Sequence, residues 1–128
     1  IGRRDYTGID LGCNILTAPG WSQEATHRVW KAIAQRCTMP HYQKMFEQLN
    51  FSKEAKLIAQ LVNNGDMQKA IDSTPKELVE SVALIGDPKL WAERLAEYKK
   101  VGVTLPVIRP MTNVTESLRL IKEIPDIF

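Results

Sequence analysis

Val82-Ala83-Leu84-Ile85-Gly86-Asp87-Pro88, then a segment carrying Leu90, Trp91, Leu95 and Tyr98, then Gly102 and Thr104-Leu105-Pro106-Val107-Ile108, is the stretch on which the fold turns. A short apolar run meets a turn, an amphipathic helix with Asp87 as its cap, a glycine stop and a second apolar run. An extended segment or short buried strand, then a helix, then a strand, within a chain that alternates strands with helices, argues for βα units and a parallel sheet. Pro106 is awkward for a central strand, because it offers no N–H to a ladder.

Outward toward the N-terminus, Thr74-Pro75-Lys76-Glu77 has the form of a capping box with proline at the first helical position. It opens a short helix that runs into Val82. Further out, Ser22 is a good N-cap with Glu24 in the first turn, for a helix to about Cys37 that buries Val29 and Ile33. Met39-Pro40 ends it. His41 to Leu49 carries Tyr42, Met45, Phe46 and Leu49 at helical spacing. Ser52 is placed to cap a helix with Leu57, Ile58, Leu61 and Val62 on its apolar side, stopped by Asn63-Asn64-Gly65. Asp66 is placed to cap a helix to about Asp72.

Furthest out, Ile9 to Leu16 alternates with period two: Ile9, Leu11, Cys13 and Ile15 on one face, Asp10, Gly12 and Asn14 on the other. Thr17-Ala18-Pro19-Gly20 is expected to break that strand. On the other side, Asn113 and Glu116 form a last capping box, for a helix to about Glu123.

Composition narrows the class. The 128 residues carry a net charge of +2, with 44% hydrophobic and 25% charged. Those fractions suit one globular domain and exclude collagen, a disulfide scaffold and a charged disordered tail. Lys and Arg are scattered, so no nucleic-acid partner is expected. No apolar run approaches the roughly 20 residues that span a bilayer, and no export signal opens the sequence, so a cytoplasmic protein is expected. Cys13 and Cys37 are too far apart for a metal or redox motif, and read as reduced core residues. No metal is expected. Two or three parallel strands do not bury both faces of a sheet by themselves. The chain therefore reads as part of a larger α/β structure.

The stretch from Thr74 to Pro110 resembles the C-terminal region of the luciferase-like flavin-utilising family. The matching parts are Ile85-Gly86-Asp87-Pro88, the helix from Trp91 to Tyr98, the Gly102-Val103-Thr104 turn and the strand from Leu105 to Ile108. Asn63-Asn64-Gly65-Asp66-Met67-Gln68-Lys69-Ala70 is similar to the lid insertion of the family's deazaflavin-dependent branch, which includes methylenetetrahydromethanopterin reductase. The resemblance implies a (β/α)8 TIM barrel that binds FMN or coenzyme F-420 and works by hydride transfer or through a flavin peroxide. Such a barrel needs about 250 residues. Residues 1–128 would be its C-terminal segment, holding the last two strands and helices with a helical lid insertion at about 39–81. The family's main cofactor-binding and proton-transfer residues lie in earlier strands, so no catalytic residue carries over.

Active sites of barrels sit at the C-terminal ends of the strands. On that placement Asn14 and Thr17 lie nearest the mouth and are candidates to hydrogen-bond a cofactor ring or substrate. Arg109 follows the last strand and suits an anionic group. Glu80 lies near the end of the insertion, where the family's substrate contacts gather. Asp87 opposes an anion at its helix N-terminus and reads as a cap. His27 and His41 lack a partner at catalytic spacing. Trp21, Trp30 and Trp91 read as packing residues.

The leading functional reading is the C-terminal portion of a flavin- or F-420-dependent oxidoreductase acting on a small organic molecule. An FMN-dependent monooxygenase of the same family is the second reading. A non-catalytic helical interaction domain is the third. The expected partners are the rest of the barrel chain and further copies of the protein, and the segment alone is expected to be inactive.

Overall fold

The computed structural model describes residues 12–103 and 105–127. Ile9, Asp10 and Leu11 of the expected first strand, and Thr104, lie outside the described residues. The described chain runs β1 (Gly12–Pro19), α1 (Gln23–Arg36), α2 (Pro40–Gln48), α3 (Ser52–Asn63), α4 (Met67–Asp72), α5 (Lys76–Val82) and β2 (Ala83–Gly86). A 3-10 turn (Pro88–Leu90), α6 (Trp91–Lys100), β3 (Leu105–Pro110) and α7 (Val114–Ile127) complete it. The strands form one parallel sheet in the order β2-β1-β3.

Helices cover both faces of this sheet, and strand parity decides which core each side chain joins. Leu16 and Ala18 of β1 and Ala83 of β2 pack with Val29 and Ile33 of α1, Phe46 of α2, Ile58 of α3, Ile71 of α4 and Leu78 of α5. Ile15 of β1 and Leu84 of β2 join Trp91 and Leu95 of α6 and Leu120 of α7 in the second core. The chain crosses from β1 to β2 over the first face and returns from β2 past β1 to β3 over the second. Reversing both direction and face keeps one crossover hand, as the strong chiral bias of parallel connections requires.

Among the described residues this sheet is open, and its strand order is not that of consecutive barrel strands. Barrel strands lie beside their chain neighbours. Here β3 pairs with β1, in the register Asn14 to Val107 and Leu16 to Arg109, while β2 has only β1 beside it among the described residues. Among the described residues there are three strands, where the resemblance implied the last two. The edge position of β3 also accounts for Pro106, which is tolerated where one side of the ladder is free.

Several local expectations meet the structure directly. Ser22 Oγ accepts the Ala25 N–H at 3.1 Å and caps α1. Gly65 and Gly102 take φ of 85° and 102°, and each ends its helix with a six-to-one backbone bond, Asp66 N–H to Leu61 O and Val103 N–H to Tyr98 O. Asn113 and Glu116 form the reciprocal capping box, with Glu116 N–H to Asn113 Oδ1 at 2.8 Å.

Others differ. β1 continues through Thr17, Ala18 and Pro19 instead of breaking there. A residue before proline is held extended, so Pro19 prolongs the strand by one step before ending it. Thr74 does not cap α5; its hydroxyl donates to Ala70 O at 2.9 Å and closes α4. Ser52 is the first residue of α3 and makes no capping bond. α7 runs past Glu123 to Ile127, through Pro125.

Candidate functional site

The carboxyl ends of the three strands are tied together by backbone. The Gly20 N–H donates to Gly86 O at 2.7 Å, joining the loops that leave β1 and β2. A Cβ on Gly20 would lie 3.2 Å from the Gly86 carbonyl carbon, so a larger residue there would press the two loop backbones apart by a few tenths of an ångström. Met111 N–H donates to Thr17 O at 3.0 Å, and Arg28 Nη1 donates to Met111 O at 2.8 Å, which draws the end of β3 against α1.

α7 is clamped over the same end. Trp21 Nε1 donates to Glu123 at 3.3 Å, while the Arg119 guanidinium lies 4.0 Å from the Trp21 ring centroid and pairs with Glu123. Glu116 is held below the usual carboxylate range. The hydrogen bond from the Ser22 hydroxyl is the largest cause; desolvation opposes it, and the Asn113 N–H and the Arg28 charge add smaller lowering contributions.

Beside this rim a cleft of about 370 Å³ opens between α1, α5 and the end of β2. That volume lies within the usual range of small-molecule sites. Thr26 and Trp30 come from one face of α1, Lys76, Val79 and Glu80 from one face of α5, and Ile85 from β2. Val79 is buried, Trp30 and Ile85 are half-buried, and Lys76 and Glu80 stand exposed at the lip. Lys76 Nζ lies 3.5 Å from Glu80 Oε1. The Thr26 hydroxyl proton is committed to Ser22 O at 3.0 Å, so toward a ligand that oxygen only accepts.

The structure separates the four nominated residues. Glu80 lines the cleft. Asn14 and Arg109 are exposed and share one face of the β1–β3 pair, since their strand positions match in parity and register. Thr17 is fully buried on the opposite face, the one that carries Ile15, and its Oγ1 has no hydrogen-bond partner among the described residues. Trp91 Nε1, in the core on that same face, is also unpartnered.

Trp30 was read from the sequence as packing, and Lys76 as a helix opener. Their meeting depends on how α1 and α5 cross, which no local pattern records. Among the described residues no cluster of His, Cys, Asp and Glu fits a metal ion, and no helix is long and apolar enough to cross a membrane.

Residues 2–105 match the sequence model of the luciferase-like monooxygenases. The chain belongs to that family. No curated protein and no solved structure matches it. Members of the luciferase-like family are oxidoreductases and monooxygenases that use flavins or coenzyme F-420.

The cleft has the volume of a small-molecule site, but the helix starts at this rim offer no place for a coenzyme's phosphate. The helix starts at this rim carry Glu24, Glu116 and Asp87, and Ser22, Asn113 and Asp87 already cap them. Capped, acidic N-termini repel a phosphate.

Proposed function

We propose that this chain is the C-terminal part of a luciferase-like (β/α)8 barrel oxidoreductase that transfers hydride between a flavin or deazaflavin coenzyme and a small organic substrate. The family match over residues 2–105 carries the proposal. The parallel strands with helical crossovers and the cleft beside the end of β2 support an α/β oxidoreductase, and closure into the barrel requires β3 to leave β1 and pair with β2. In this reading α2–α5 are the lid insertion, and the cleft is the part of the substrate pocket that this chain supplies. Phosphate binding falls to barrel strands outside these residues, because the helix starts here are acidic. Asn14 and Arg109 lie on the sheet face that also carries Leu16 and Ala18, the face covered by α1–α5.

The test is made on the protein with its upstream barrel strands attached. Tight binding of FMN or F-420, followed by hydride transfer to an organic acceptor, is the expected result. The 128 residues alone are expected to give no turnover. Failure of the longer protein to bind either coenzyme would remove the proposal and favour the helical interaction domain. The family's description as monooxygenases favours a second reading, an FMN-dependent monooxygenase. Oxygen consumption stoichiometric with product distinguishes it.

A further inference from the structure

The cleft between α1 and α5 has a composition more specific than its size. One wall is the half-buried indole of Trp30, the floor is Val79 and Ile85, and the lip is a cation and a carboxylate one helical turn apart. A flat ring is the shape that an indole wall and a shallow aliphatic floor cover best. The lip offers three N–H donors from Lys76 beside two acceptor oxygens from Glu80. Their mutual ion pair, at 3.5 Å with both side chains more than half exposed, is worth little in water. A ligand that presents an acceptor to Lys76 and a donor to Glu80 therefore displaces it at small cost. The Thr26 oxygen, one turn from Trp30 on the same face of α1, adds an acceptor across the cleft from α5.

We propose that this cleft binds a planar ring bearing an amide N–H next to a carbonyl, a lactam edge, stacked on Trp30. Glu80 accepts the ring N–H and Lys76 donates to the ring carbonyl. A simple anion is a poorer match because Glu80 repels it, and a simple cation is a poorer match because Lys76 does. The same edge occurs in free heterocyclic substrates and in the ring of a flavin. The reading deepens the oxidoreductase proposal by naming a substrate class, yet ring binding here does not require redox activity.

The probes are 2-quinolinone, its N-methyl derivative and riboflavin, titrated into the isotope-labelled protein and followed by amide and indole resonances. With 2-quinolinone, saturable shifts are expected at the Trp30 indole N–H and the amides of Val79, Glu80 and Ile85. N-methylation, which removes the donor, is expected to weaken binding about tenfold, and Glu80→Ala to remove that difference. Trp30→Leu is expected to weaken both ligands, and Trp30→Phe to retain most of the affinity. Saturation by riboflavin but not by 2-quinolinone would assign the cleft to the coenzyme ring and overturn the substrate assignment. Shifts centred elsewhere, or equal binding of the N-methyl compound, would overturn the lactam edge. Absent turnover with intact ring binding would remove the oxidoreductase reading alone. If Trp30→Leu unfolds, the shift map of the unaltered protein and the Glu80→Ala comparison still decide.

Discussion

Cys37 closes α1 with no exposed surface, and burial pushes its thiol up to about 11 from an ordinary 9.0. An unfolded chain ionises this thiol about two pH units earlier than the folded one. The stabilising contribution is therefore complete below pH 9 and lost as pH rises toward 11. At about 1.36 kcal/mol per pK unit the loss is roughly 2–3 kcal/mol. Urea midpoints measured from pH 8 to 11 are expected to fall, and Cys37→Ala to flatten that fall. A second residue-scale expectation concerns Gly20. Its added Cβ would press on the Gly86 backbone at 3.2 Å, where no side chain can swing aside. Gly20→Ala should cost about 1–3 kcal/mol, as overpacking usually does, and lower the thermal midpoint by several degrees. The buried state of Cys37 was legible from its isolation in the sequence. The burial of Thr17 was legible too, since it shares parity with Ile15, but an expected strand break after Leu16 hid it.

At the scale of elements, Leu120 is the buried anchor of α7 among its described side chains, and Val114, Leu118 and Ile121 face outward. Its start depends on the Asn113–Glu116 box, and Glu116 also takes the Ser22 hydroxyl at the head of α1. Asn113→Ala should cost about 1 kcal/mol and raise amide exchange through the first turn of α7, with a smaller effect at the head of α1. Unchanged exchange in Val114–Ser117 would show that packing alone holds the helix. The caps at Ser22 and Asn113 and the glycine stops at Gly65 and Gly102 could be read from sequence because each is a local geometric demand. The box at Thr74 could not be separated from its rival. A threonine there serves equally well to close α4 by bonding Ala70 O, and tertiary packing chose that role. Glu80 could be nominated by position along the chain, whereas Trp30 and Lys76 needed the crossing of α1 and α5.

At the scale of the molecule, the sheet has two free flanks among the described residues, and the free side of β2 is a groove of about 250 Å³ lined by Leu84, Leu90, Trp91 and Arg94 among others. Val107 on β3 and the outward stripe on α7 are also exposed. Apolar surface of that kind favours self-association, so the sedimentation coefficient of the 128-residue chain should rise with concentration. The pairing of β3 with β1 bears on the barrel reading more sharply. In a barrel β3 belongs beside β2, on the flank now open, and an upstream strand belongs beside β1. The buried, unpartnered Thr17 hydroxyl and Trp91 indole lie on the sheet face covered by α6 and α7, the face that such a rearrangement would repack. Residues 14 and 107 are register partners, both exposed, on strands whose usual spacing of about 4.8 Å suits a disulfide. With Cys13→Ser and Cys37→Ala as background, the pair Asn14→Cys and Val107→Cys should cross-link readily in the 128-residue chain. With the upstream barrel strands attached, the same pair should stay reduced under the same oxidant, because β3 has moved to β2. Equal cross-linking in both would mean that the order β2-β1-β3 is the native one, and a closed barrel would then be excluded.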